Sequence, residues 1–241
     1  MKRKILLGIL FLLLISILGN WYMNSRTDII SQLGGKIYYL KRDKEILNIY
    51  VCNTNMSNNR LIYSHNGKGQ YSRDQYNNNI RNLYYDQAKD IIYFQAMNKS
   101  GWALFSIKEG DDQPQFMKLL DDFKMDFKDA YINTASQDAA AVNRNGSMYI
   151  VQNGKEKLLK KYYGIYDNKF SPGYVPIGFS PDGKYLVYSS TGHLTPIGSI
   201  AEGLVKQLLF RNFSISDNYI MDLRTGKSNR FINGQNIQWI M

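Results

Sequence analysis

Few residues in this chain have the types and spacing that could do chemistry. One cysteine, Cys52, and two histidines, His65 and His193, are spread over 241 residues. A thiol nucleophile needs a base beside it, and a serine triad needs an oriented base and a third group. Neither histidine follows a nucleophile-elbow pattern, and no Gly-rich phosphate cradle occurs. His65 stands beside Asn66 and Gly67, a turn-forming context. Cys52 lies in the apolar run "NIYVCN" and reads as a small buried residue with no intrachain disulfide partner. Ligand sets at zinc or calcium spacing are also missing. Glu109, Asp111 and Asp112, and the pair Asp121 and Asp122, read as solvated turn charges. No catalytic, metal-ligating or cofactor-binding residue is assigned, and no cofactor is expected.

One stretch points to binding. "KEKLLKKYYGIYDNK" (155–169) interleaves basic and aromatic residues, and Lys160, Lys161, Tyr162 and Tyr163 form a candidate basic surface. On an outer strand such residues discourage unwanted strand pairing. They also suit contact with an anionic wall polymer or lipid headgroups.

The first residues read as an address. "MKRKILLGILFLLLISILGNWYM" opens with Lys2, Arg3 and Lys4 and continues apolar over 5–18. Positive charge stays inside, so the rest of the chain is expected outside the cytoplasm. Counted through Met23 the stretch is long enough for a spanning helix, with Trp21 and Tyr22 at the outer interface. An uncleaved anchor over 1–23 is favoured; cleavage after Gly19 would release a secreted protein, but Ile17 is a poor match to the small residue such a site prefers. Export makes nucleic acid an unexpected partner. Beyond the leader, 27 basic side chains stand against 20 acidic ones, a surface that favours anionic partners.

The elements that must position any site are β-strands. Tyrosine is abundant (19) and proline sparse (5), and short apolar runs alternate with Gly, Asn and Asp. "IYVCNTNMSNNRLI" (49–62) and "YIMDLRTGKSNRFI" (219–232) share one pattern: an apolar strand, a turn, then Asn-Arg and two apolar residues. Copies occur at 90–120 and 138–163. The second strands of the units begin near Lys36, Ile91, Ala139 and Lys184, steps of 55, 48 and 45 residues. A period in the forties with four short strands per unit is a propeller signature. The first unit lacks its first strand, whereas the chain ends on "NIQWIM"; pairing of 237–241 beside 37–40 would complete it.

"GFSPDGKYLVYSS" (178–190), with these two phrases, resembles the repeats of TolB-like β-propellers. Ser180, Pro181, Asp182 and Gly183 carry the turn motif, which is replaced by Asp86–Lys89 in the second unit. The resemblance spans most of 34–241. It implies an all-β fold, a propeller of about four four-stranded blades closed by the C-terminal strand, after an N-terminal helix. The expected organisation is a leader over 1–23, a linker over 24–35, and the propeller over 36–241.

The fourth unit carries an insertion over 193–216. From second to third strand it takes 34 residues, Leu186 to Ile220, where the other units take 12, 12 and 9. A helix is predicted over 199–211, with Ser199 as cap, Glu202 completing a capping box, and Lys206 and Arg211 toward its end. Ile200, Leu204, Leu208 and Phe210 make an apolar stripe that either packs on the propeller or contacts a partner or membrane surface. The sequence thus points to a membrane-anchored, exported, noncatalytic binding or scaffold module for a protein or anionic envelope polymer. The alternative is an envelope enzyme of hydrolase or lyase type, with carboxylates contributed by blade loops.

Overall fold

The computed structural model describes residues 11, 13–15, 29–43, 46–65, 80–120, 135–136, 139–164, 166, 172–190 and 217–241. Apart from a 3-10 turn at Ile30–Gln32 and helical residues at 11 and 13–15, the elements among the described residues are strands. They form four separate four-stranded antiparallel sheets. The chain divides into two compact units, one holding the first two sheets and the other the last two.

In the first of these, β1 (Lys36–Asp43), β2 (Ile46–Asn53) and β3 (Arg60–Ser64) follow in order. The C-terminal strand completes the sheet from the other side. In sequence order it is the last of the sixteen strands among the described residues, β16 (Gln235–Ile240), and it pairs with β1 through Lys36 with Ile240, Ile37 with Trp239 and Tyr38 with Gln238. The repeat count called for this pairing, and its cause is visible in burial: Ile37 through Leu40 are all buried, so β1 needs a neighbour on each edge and cover on each face. The second sheet is the meander β4 (Ile80–Asp86), β5 (Ile91–Asn98), β6 (Gly101–Ile107) and β7 (Gln115–Leu119). Ile49, Ile80, Ile92, Phe94 and Ala103 fill the core shared by these two sheets. Each such large side chain, taken fully from water, stabilises by about 1.5–3 kcal/mol.

The other unit repeats the plan. Its first sheet runs β8 (Ala135–Ser136), β9 (Ala139–Arg144), β10 (Ser147–Gln152) and β11 (Lys155–Lys160), and its second β12 (Tyr174–Phe179), β13 (Tyr185–Ser190), β14 (Asp217–Asp222) and β15 (Ser228–Arg230). Met148, Tyr174, Leu186, Tyr188 and Met221 form the core. Outer strands differ from inner ones in the way the sequence suggests: β7 and most of β11 are exposed, whereas β5 and β13 are largely buried.

Turn chemistry sets the hairpins. Asn145-Gly146 and Asn153-Gly154 each have positive φ at both positions (50° and 84°, 50° and 74°), the two-residue turn that matches strand twist. In the 180–184 turn the Asp182 carboxylate accepts the Ser180 hydroxyl at 2.6 Å and the Lys184 amide at 3.1 Å, while Gly183 takes φ 69°. The corresponding turn of the second sheet, between β4 and β5, has no glycine. It is a four-residue turn of the same length in which Asp90, one place later, takes φ 54°. Asp86 accepts the Ala88 and Lys89 amides in place of the Asp182 bonds.

The predicted insertion helix and its stripe, Ile200, Leu204, Leu208 and Phe210, lie outside the described residues. Among the described residues, no helix is long and apolar enough to cross a membrane.

Candidate functional site

A cleft of about 720 Å3 opens within the first unit, where the first two sheets meet. Lys36 and Tyr38 come from β1, Arg60 from the start of β3, Tyr85 from the end of β4, and Glu109 from the turn after β6. Glu109 is the centre. Its carboxylate accepts the Tyr38 hydroxyl at 2.8 Å, pairs with the Arg60 guanidinium, and lies 3.8 Å from the Lys36 ammonium. The Glu109 side chain is 16% exposed, but those of Arg60 and Lys36 are 54% and 51% exposed. The carboxylate is therefore turned inward while both cations present an outer side to the cleft.

Aromatic packing holds this arrangement. Tyr38 and Tyr85 stack at 4.5 Å between centroids, 14° from parallel. Tyr85 in turn donates its hydroxyl to Asp90 at 2.6 Å, an exposed residue whose left-handed backbone brings it to the cleft rim. Burial first, and the neighbouring Tyr85 phenol second, raise the Tyr38 pKa above the usual phenol range. Tyr85 is raised as well, chiefly by its bond to Asp90. Both phenols thus stay protonated donors over the neutral range.

Both carboxylates in the cleft are engaged, Glu109 by two cations and a phenol, Asp90 by a phenol. That suits an ion-pair anchor rather than a proton donor for bond cleavage. Among the described residues no group of three or more His, Cys, Asp or Glu side chains could hold a metal ion.

The sequence-derived candidates are divided by the structure. Lys161 and Tyr163 are exposed, with the Lys161 ammonium 5.4 Å from the Tyr163 ring centroid. Tyr162 is buried: it packs edge to face on Tyr174 and lies against Gly146 and Gly164. Lys160 is only partly exposed and its ammonium lies over the Tyr174 and Tyr188 rings. The four residues do not make one basic surface, because the chain leaves β11 at Lys160 and turns Tyr162 into the core.

Glu109 requires a correction too. Read as a solvated turn charge, it is mostly buried and bonded to residues 49 to 73 positions earlier in the chain. Asp111, two positions on, does behave as a turn charge, accepting the Lys108 amide at 3.0 Å. His65 is not in an open turn but buried at the end of β3. Its Nε2 donates to the Met97 carbonyl at 2.6 Å, which leaves Nδ1 to accept the Tyr63 hydroxyl at 3.0 Å. Those bonds tie β3 to β5, a structural role. Cys52 is buried, as its apolar context suggests.

These features define a class: a repeat protein of four antiparallel four-stranded meanders, the first completed by the C-terminal strand, with a charged and aromatic cleft in one unit. No family model matches the chain, and no curated protein does. The solved structures similar to it include TolB from Acinetobacter baumannii, at 13% identity and TM-score 0.28, over 81% of this chain and 41% of that one. The β-propeller domain of the trilobed protease from Pyrococcus furiosus is similar at 11% identity and TM-score 0.27, over 84% of this chain and 54% of that one. A nidogen/laminin complex is similar at 12% identity and TM-score 0.28, over 86% and 64%. The chain thus spans less than two thirds of each of these proteins. The description as blade-type sheets stands on the strand pairing itself.

Proposed function

We propose that the four sheets are the blades of one propeller, held outside the cytoplasm by an anchor over 1–23, and that it is a noncatalytic binding module for an anionic envelope polymer. The observation that carries this reading is the asymmetry at Glu109: the carboxylate is turned in and satisfied, whereas Arg60 and Lys36 are half-exposed at a cleft large enough for a polymer segment. A phosphate or carboxylate on the polymer would take the outer side of the guanidinium, whose planar fork suits such groups. The 193–216 insertion is a second proposed contact, on the strength of its length and its apolar stripe.

The test is binding of the full chain to a polyglycerol phosphate and to a neutral dextran, with Arg60→Gln as the variant. The polyanion is expected to bind, the dextran not, and the variant to weaken binding about tenfold, the worth of one charge-assisted hydrogen bond. Equal binding of both polymers, or unchanged affinity in Arg60→Gln, would sink the reading.

A further inference from the structure

The cleft between the first two sheets holds its charges unevenly. Lys36 and Arg60, from β1 and β3, both turn to one carboxylate, that of Glu109. Asp90, at the end of the β4–β5 turn, also lines the cleft, and among the described residues no cation pairs with it. Its neighbour in sequence is engaged elsewhere: Lys89 pairs with Asp86 at 3.0 Å and lies over the Tyr93 ring. Asp90 is exposed, and its Oδ1 accepts the Tyr85 hydroxyl at 2.6 Å. Its Oδ2 has no hydrogen bond among the described residues.

What surrounds Asp90 suits an ammonium. Tyr85 lines the cleft and is partly exposed; its ring stacks on Tyr38, and its hydroxyl fixes the Asp90 carboxylate. A carboxylate held beside an aromatic ring attracts a cation twice, by its charge and by the ring quadrupole. Gln87, from the same turn, also lines the cleft and carries an amide oxygen that can accept from an ammonium.

We propose that the ligand of this cleft is zwitterionic: its phosphate or carboxylate meets Arg60 and Lys36, and an ammonium on the same polymer meets Asp90 beside the Tyr85 ring. The inference rests on the polyanion reading of the cleft and adds the second charge. Charge complementarity carries it. The stacked pair joins two unlike ends, since Tyr38 donates to Glu109 and Tyr85 to Asp90. At the Glu109 end two cations share one carboxylate and leave positive charge over. At the Asp90 end the carboxylate lacks a counter-charge among the described residues. A plain polyanion satisfies the first end and is repelled by the second, whereas a ligand that carries both charges completes both.

The experiment uses the full chain and three forms of polyglycerol phosphate: plain, partly esterified with glycine so that free ammonium groups are present, and the same ester N-acetylated, which keeps the bulk and loses the charge. Binding is measured in mildly acidic buffer, where the esters persist. The chain carries a net charge of +10, so non-specific attraction alone makes the glycyl form, the least anionic, the weakest binder. Wild type is expected instead to bind it about three- to tenfold more tightly than the acetylated form. Asp90→Asn keeps an acceptor for the Tyr85 hydroxyl and tolerates the left-handed backbone. That variant should bring the glycyl and acetylated forms level or reverse their order, and bind the plain polymer somewhat more tightly than wild type. Equal or weaker binding of the glycyl form by wild type, or a preference that survives in Asp90→Asn, would overturn the proposal. Plain-polymer binding that depends on Arg60 would then leave the polyanion reading standing, whereas no binding of any form would overturn both. The wild-type comparison of glycyl with acetylated polymer decides alone if the variant does not fold.

Discussion

Tyr38 and Glu109, 71 residues apart in sequence, are joined by a 2.8 Å hydrogen bond in which the buried phenol donates to the carboxylate. The bond links β1, whose other edge is held by the C-terminal strand, to the turn that leaves β6. It therefore ties the first two sheets together at the cleft. Tyr38→Phe keeps the ring, and hence the stack on Tyr85, while removing the donor. Glu109 retains Arg60 and Lys36. The expected loss in chemical denaturation is about 1–2 kcal/mol, as for a hydrogen bond to a charged group that keeps other partners. A loss near zero would mean that the cations alone hold the carboxylate.

Hairpin glycines separate backbone strain from crowding. Gly154 and Gly146 both follow an asparagine in a two-residue turn and both have positive φ. A Cβ on Gly154 would meet nothing within 4 Å, whereas one on Gly146 would lie against the Tyr162 ring. Gly154→Ala is expected to cost about 1–2 kcal/mol, the left-handed penalty alone. Gly146→Ala should cost about 1–3 kcal/mol more, the range for overpacking a core. Equal losses would show that Tyr162 yields freely.

Cys52 gives a reactivity prediction. Burial pushes its thiol up to about 11, so almost no thiolate exists at neutral pH. An alkylating reagent should leave the native protein unmodified and react stoichiometrically once denaturant is added. Rapid labelling of the native state would place Cys52 at the surface and contradict its position in β2.

Much of the fold was legible because it depends on local pattern. The second strands begin at Lys36, Ile91, Ala139 and Tyr185, within a residue of the repeat-based expectation. The apolar end of the chain had to find a partner, and β1 was the strand without one. The cleft was not legible, since Lys36, Arg60, Tyr85 and Glu109 come from different strands and turns, and no short spacing links them. Glu109 stands in an acidic turn next to Asp111 and Asp112, so composition alone gives it their solvated character. Tyr162 was hidden for a similar reason: in a run of basic and aromatic residues, nothing local marks which ring turns inward. Gly146 and Gly164 leave room for the Tyr162 ring, but only the fold brings them against it.

Acid should loosen the hairpin turns in a defined window. At Asp182 and Asp222 burial works against the anion, but hydrogen bonds outweigh it and leave both carboxyls below their ordinary value. Asp222 accepts the Arg224 amide at 2.8 Å and the Thr225 amide at 3.2 Å. A depressed folded-state pKa means stability that is present above the unfolded value and lost as pH falls through the folded one. The gap in melting temperature between wild type and Asp182→Ala/Asp222→Ala should hold from neutrality to about pH 4, then close below it. A gap that stays constant through the acid range would show that the bonds do not depend on charge.

Glu109 also competes with any anionic ligand for Arg60 and Lys36, and this makes the cleft testable from the opposite direction. Glu109→Gln is nearly the same size and can still accept the Tyr38 hydroxyl, but it releases both cations from their ion pairs. If the cleft takes polyanions, the variant should bind polyglycerol phosphate more tightly than wild type, by about two- to fivefold, as for a pair worth ~0.5–1 kcal/mol whose cations are half-exposed. The gain should fall as salt rises, because both cations are half-exposed and screened. Stability should drop slightly in the same variant, so that affinity and stability move in opposite directions. A loss of affinity in Glu109→Gln would mean that the carboxylate positions the cations for the ligand, and no change would mean that the ligand binds elsewhere.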